Sequence, residues 1–169
     1  MTIAESAVTS SIGPSSHELD APPWRRVEST IASTASDIRA LYDHRFAKLM
    51  LTLSLASLLC YLEDFGPVTQ TRAADHLRQG RAATGNQIDR LEARGLIERL
   101  PDSADRRVWL VQLTPDGKKL AAAAVEIDIV VRRELRAGVS REERQALANV
   151  LVRLQENIST ALSSEANQD

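Results

Sequence analysis

Asn86, Gln87 and Arg90 fall within one short segment of the chain, and Asp105-Arg106-Arg107 follows in a second. A carboxamide offers a donor and an acceptor side by side, and a guanidinium offers a planar fork of donors. Both suit paired hydrogen bonds to flat polar edges and to phosphate oxygens. Nothing beside them is equipped for bond-making. The chain has no Gly-x-Ser-x-Gly elbow, no phosphate-cradling Gly-rich loop and no clustered Cys/His or carboxylate site, so catalysis is not expected. One Cys, Cys60, and three scattered His, at 17, 44 and 76, give no ligand spacing, so neither a metal nor a cofactor is expected.

The elements that must position these groups are marked by breakers and periodicity. Trp24, Val27, Ile31, Ile38, Tyr42, Phe46 and Leu49 recur at helical steps or multiples of them, predicting a long amphipathic helix after a flexible arm rich in Ser, Ala and Thr. Thr52 is placed to cap a second helix running to about Asp64, and Phe65-Gly66-Pro67 breaks the chain. Thr69 caps a short third helix, Gln79-Gly80 supplies a turn, and a fourth helix runs from Arg81 to Arg94 and stops at Gly95. Residues 96–100 and 108–113 read as two strands joined by a turn rich in Asp and Arg. Thr114-Pro115 opens a fifth helix that stops at Gly138. Ser140-Arg141-Glu142-Glu143 is a capping box for a sixth, along which Leu147, Leu151, Leu154, Ile158 and Leu162 form an apolar stripe.

This order, helix, turn, helix, β-hairpin, defines a mainly α fold with a small β-wing: a winged helix-turn-helix lobe plus a helical dimerisation region. The expected division is a flexible N-terminal arm over 1–23, a dimerisation helix over 24–50, the winged lobe over 51–114, C-terminal dimerisation helices over 115–162 and a tail over 163–169. A small winged core cannot cover the apolar faces of the first, fifth and sixth helices, which predicts a homodimer. Twofold symmetry then sets two reading helices about one DNA turn apart on a pseudo-palindrome.

Helical geometry turns Thr84, Ile88 and Leu91 inward and Ala82, Ala83, Asn86 and Arg90 outward, with Gln87 on the flank. Asn and Gln pair bidentately with adenine and Ala touches a thymine methyl, so this face suits A·T-containing major-groove sequence in double-stranded DNA. Thr69, Gln70, Arg72 and Arg81 are placed for phosphate contacts. Asp102 to Arg107 form the wing tip, where an Arg can enter a narrow minor groove while an Asp holds its neighbour. The net charge of −2 divides unevenly: Thr69 to Leu113 carries eight Lys or Arg against six Asp or Glu, a surplus of two within an acidic remainder.

Over roughly Val27 to Ile158 the chain resembles the MarR family of bacterial winged-helix regulators. The resemblance rests on Asp89-Arg90-Leu91-Glu92-Ala93-Arg94-Gly95-Leu96-Ile97-Glu98-Arg99, Asp105-Arg106-Arg107 and Leu113-Thr114-Pro115-Asp116-Gly117, in that order and at the family's spacing. It implies a triangular dimer with a pocket for a small aromatic or phenolic acid, and Arg106 as the groove residue supported by Asp105 and Arg107. The chain departs from the family at Gly85-Asn86, where Ser or Thr followed by Arg is common. Gly inside a helix costs about 1 kcal/mol relative to Ala, so Gly85 requires close packing on the third helix or close approach to DNA.

Several residues have two readings. Cys60, among Leu58, Leu59, Tyr61 and Leu62, is a core thiol or a redox sensor. His44 and Arg45, toward the end of the first helix, are surface or intersubunit groups or partners of an anionic effector. His76 is a phosphate contact or has no role. Trp24 and Trp109 are read as packing residues. The 169 residues, 43% apolar and 26% charged, fit one soluble domain. No apolar stretch approaches a membrane span and no signal peptide is evident, so a cytoplasmic protein is expected, with no membrane partner. The sequence supports a ligand-responsive repressor; a winged-helix module that contacts protein is the rival.

Overall fold

In the computed structural model residues 26–166 are described; the arm over 1–23 with His17, the helix start at Trp24 and residues 167–169 of the tail lie outside them. The order is α1 (Val27–Phe46), α2 (Leu53–Phe65), β1 (Val68–Thr69), α3 (Gln70–His76), α4 (Arg81–Glu92), β2 (Ile97–Pro101), β3 (Trp109–Leu113), α5 (Pro115–Leu135) and α6 (Arg141–Ala166). A 3-10 turn, Ala47–Leu49, follows α1. The chain divides into two compact units, one running through Val125 and one from Glu126 onward.

In the first unit the helix expected to reach residue 50 ends at Phe46. Met50 takes a left-handed φ of 53°, and the chain redirects into α2. Two side chains hold this corner: the Asp43 carboxylate accepts from Leu53 N at 2.6 Å, and Thr52 Oγ1 accepts from Leu55 N at 3.4 Å. The core is aliphatic. Leu55, Leu58, Leu59 and Leu62 of α2 are buried with Ala73 and Ala74 of α3, Ile88 and Leu91 of α4, and Ile97 and Val111 of the sheet.

The sheet is antiparallel in the order β1-β3-β2. Strand β1 was not expected from sequence, because two residues are too short to show alternation; it forms because Val68 and Thr69 pair with Val111 and Leu110. At the end of β3, Thr114 Oγ1 donates to Gly95 O at 2.7 Å and accepts from Gly117 N at 3.1 Å, capping α5. A Cβ on Gly117 would lie 1.9 Å from Leu96 O, so only glycine lets α5 start this close to β2.

In the second unit α5 ends at Leu135, before Gly138, which takes a φ of 74° in the turn to α6. The capping box forms in both directions: Glu143 N donates to Ser140 Oγ at 3.1 Å, and Ser140 N donates to the Glu143 carboxylate at 2.8 Å. Of the α6 stripe, Leu147, Ile158 and Leu162 are each more than half exposed among the described residues, while Leu151 and Leu154 are half-buried.

Candidate nucleic-acid interface

Helix α4 begins at Gly80, whose carbonyl accepts from both Thr84 N (3.0 Å) and Thr84 Oγ1 (3.2 Å). The second bond satisfies a hydroxyl that is wholly buried. Thr84, Ile88 and Leu91 are all at 0% exposure, the inward stripe expected from helical spacing. Arg81, Ala82, Ala83, Asn86 and Arg90 stand exposed on the other side. The preceding turn differs from expectation in one respect. Its left-handed residue is Arg78, at φ 50°, while Gly80 has an ordinary φ of −62° and serves as the helix N-cap.

Two carboxamides assigned to DNA contact are engaged within the helix pair. Gln87 Nε2 donates to Gln79 Oε1 at 2.6 Å, tying α4 to the turn, and Gln87 Oε1 is buried with no hydrogen-bond partner among the described residues. Gln70 Nε2 donates to Arg81 O at 3.1 Å and lies 2.9 Å from where a Cβ on Gly85 would be. Gly85 is therefore explained by close packing on α3. Thr69 Oγ1 accepts from Arg72 N at 3.2 Å as the α3 cap, and the Arg72 side chain is exposed.

The wing tip is built by its acidic residues. Asp102 Oδ1 accepts from Ala104 N at 2.7 Å, and Asp105 Oδ1 accepts from Arg107 N at 3.0 Å and from Arg107 Nε at 3.2 Å. The Asp105–Arg107 pair forms as expected, yet the Arg107 side chain remains 92% exposed. Its guanidinium stands in solvent, with the Nε contact to Asp105 on one side. Arg106 is also exposed.

Two arginines that sequence reasoning did not single out fix the angle of α4. Arg99 of β2 forks to Asp89, at 2.5 Å, and to Glu92, so the wing is ionically joined to the flank of the helix. Arg94 Nη1 donates to Met50 O at 2.8 Å and Nη2 to Leu49 O at 3.1 Å, joining the end of α4 to the α1–α2 corner. The signal for Arg99 was available in the sequence: two carboxylates at a three-residue step on α4, then an Arg in the next strand. Arg94 bonds to carbonyls more than forty residues away, and no local pattern marks that.

The remaining candidates separate. His76 stacks on Tyr61 at 4.3 Å with Phe65 at 5.2 Å, so its ring is taken up by an aromatic cluster. Trp109, expected to be a packing residue, is instead 56% exposed, because it lies toward the tip of the wing, past the Val111 and Leu113 positions that are buried. Cys60 is half-buried on α2. His44 and Arg45 are exposed on the last turn of α1. Neither lines the cleft of about 180 Å³ bounded by Leu62, Glu63, Pro67, Gln112 and Lys118. Among the described residues no group of three or more His, Cys, Asp or Glu could hold a metal, and no single helix is long and apolar enough to cross a membrane.

The MarR family model matches residues 51–109, which take in α2, the helix-turn-helix and most of the wing. An uncharacterized HTH-type transcriptional regulator of Bacillus subtilis (strain 168), YdgJ, is 29% identical over 107 residues; the match covers 63% of this chain and 63% of that protein, under two thirds of its length. Bordetella bronchiseptica BpsR, solved to explain how 6-hydroxynicotinic acid regulates its DNA binding, superimposes with a TM-score of 0.73 at 26% identity, covering 79% of this chain and 96% of that one. The S. aureus MepR–DNA complex gives a TM-score of 0.74 at 21% identity over 81% of this chain and 99% of that one, a likeness of fold alone.

Proposed function

We propose that the chain is a DNA-binding transcriptional regulator of the MarR type, not an enzyme, and that it acts as a repressor, a reading supported by the family model over residues 51–109 and by the likeness to YdgJ and BpsR. It binds a pseudo-palindromic operator as a homodimer and releases it when a small aromatic or anionic molecule binds. The observation that carries the DNA-binding reading is the division of α4. Its inward stripe is wholly buried, and Ala82, Ala83, Asn86 and Arg90 are left exposed beside a wing that holds an arginine outward. A helix in the major groove and a hairpin at the adjacent minor groove need that arrangement.

Asn86 is the base-reading residue of this proposal, with Ala82 and Ala83 against thymine methyls and Arg90, Arg81 and Arg72 on phosphates. Gln70 and Gln87 act as braces of the helix pair. At the wing, Arg106 is the groove residue of this proposal, with Asp105 and Arg107 as the pair that supports it. The exposed part of the α6 stripe supports the dimer, since Leu147, Ile158 and Leu162 together present a large apolar surface to water. Effector release is supported by the likeness to BpsR and by two potential anion donors, His44 and Arg45, exposed on α1.

The test is a salt titration of binding to the DNA upstream of its own gene. Affinity should fall steeply as salt rises, because displaced counterions return to the duplex. Absence of binding at low salt refutes the regulator reading. Full wild-type release by an aromatic acid in both His44→Ala and Arg45→Ala refutes their place in the effector site.

A further inference from the structure

Trp109 occupies a position where no core residue is needed. Along β3, Val111 and Leu113 are buried, and strand alternation puts Trp109 on the same face, yet 56% of it is exposed. That face can be identified. Arg99, paired with Val111 across the hairpin, reaches from it to Asp89 and Glu92, so it is the face turned toward α4. Trp109 pairs with Pro101, two residues nearer the tip, which sets it about 7 Å beyond the last residues that α4 covers. It thus stands on the helix-facing side of the wing, between the Arg99–Val111 pair and the Asp105–Arg107 tip.

We propose that Trp109 packs against the phosphodiester ridge separating the two grooves, its ring on deoxyribose and its indole N–H donating to a phosphate oxygen. The proposal rests on the DNA-binding reading above. If α4 enters the major groove and the wing tip the adjacent minor groove, the strand between those grooves passes the part of the wing that carries Trp109. A sugar-phosphate strand suits the residue: an apolar ring surface meets sugar carbons, and a single donor meets an acceptor-only phosphate. The surrounding charge also fits, since Arg106 and Arg107 stand exposed three and two residues before Trp109. Trp109 is therefore a determinant of affinity rather than of sequence preference.

The chain has two tryptophans, so Trp24→Phe leaves Trp109 as the only indole emitter. The probes are a fluorescein-labelled duplex from the region upstream of its own gene and a random duplex of equal length at low salt. Binding of either, followed by anisotropy, should change Trp109 emission. Trp109→Ala should weaken both duplexes by about tenfold with an unchanged salt slope, because a neutral side chain displaces no counterion. Trp109→Phe, which keeps ring packing and loses the donor, should fall between, and it decides the matter if the Ala variant melts early. Unchanged emission on a duplex that anisotropy reports as bound, or wild-type affinity in Trp109→Ala, overturns the proposal and leaves the regulator reading standing. If wild-type protein binds neither duplex, both fall together.

Discussion

Replacing Gly85 by Ala sets two effects of similar size against each other. In a helix interior Ala is favoured over Gly by about 1 kcal/mol. The new methyl, however, would lie 2.9 Å from Gln70 Nε2, too close for any real contact. The obstruction is the far end of a flexible side chain, so Gln70 swings away and gives up its 3.1 Å bond to Arg81 O. That bond contributes about 0.5–1.5 kcal/mol. The expected change in stability for Gly85→Ala alone is therefore close to zero.

The same substitution made in a Gln70→Ala background meets no obstruction and has no bond to lose. There it should stabilise by the full 1 kcal/mol or so. The two sites are thus predicted to be coupled by about 1 kcal/mol. Urea denaturation of the four proteins measures the coupling directly, at one fixed concentration because association would add to apparent stability. Equal stabilisation by Gly85→Ala in both backgrounds would refute the argument that Gln70 packing is why glycine stands on this helix.

Gly117→Ala should destabilise by about 3 kcal/mol or more, seen as a large drop in melting temperature, because its Cβ would meet the Leu96 backbone and not a movable side chain. Arg94→Ala strips two hydrogen bonds from the Leu49 and Met50 carbonyls, so hydrogen exchange should rise over residues 47–53, with Arg94→Lys recovering only part because an ammonium lacks the fork. Asp105→Ala should weaken operator binding although it removes negative charge from the interface, since it takes away the acceptor of Arg107 N and Nε that shapes the wing tip; tighter binding would sink the claim that this turn matters. The Glu143 carboxyl is held below its ordinary range, first by the backbone N–H of Ser140 and second by its hydroxyl. The stabilisation this implies is present above the ordinary glutamate pKa and is lost as pH falls through the lowered value, and an NMR titration of Ser140→Ala, which keeps the N–H, should leave most of the lowering in place.

Spacing and breakers made much of this fold legible. The caps at Thr52, Thr69, Thr114 and Ser140 all form, because each depends on a side chain and an amide three residues apart, which sequence shows directly. The inward stripe of α4 was legible for the same reason. The break after Phe46 was not, since Asp43 and Arg94 act there on partners ten and more than forty residues distant. Strand β1 exists only through its pairing with β3 and has no pattern of its own.

The candidate interface was legible as a region and less so residue by residue, because the chemistry that reads a base edge also braces a helix pair. A carboxamide on a reading helix has the same donor and acceptor whether it faces adenine or another glutamine. Gln87 and Asn86 are neighbours in sequence, and only the 100° turn between them puts one against Gln79 and the other in solvent. Bracing has a consequence for recognition. On the proposed reading, with Gln70 and Gln87 committed, direct reading would fall to Asn86 and two alanines, a narrow chemistry weighted toward A·T pairs. Much of the affinity must then come from arginines on phosphate and from the wing. An operator read in this way would be distinguished as much by its minor-groove width under the proposed groove residue, Arg106, as by the bases facing α4. Exchanging A-tract for mixed A·T sequence beneath the wing should thus change affinity with every α4 contact intact.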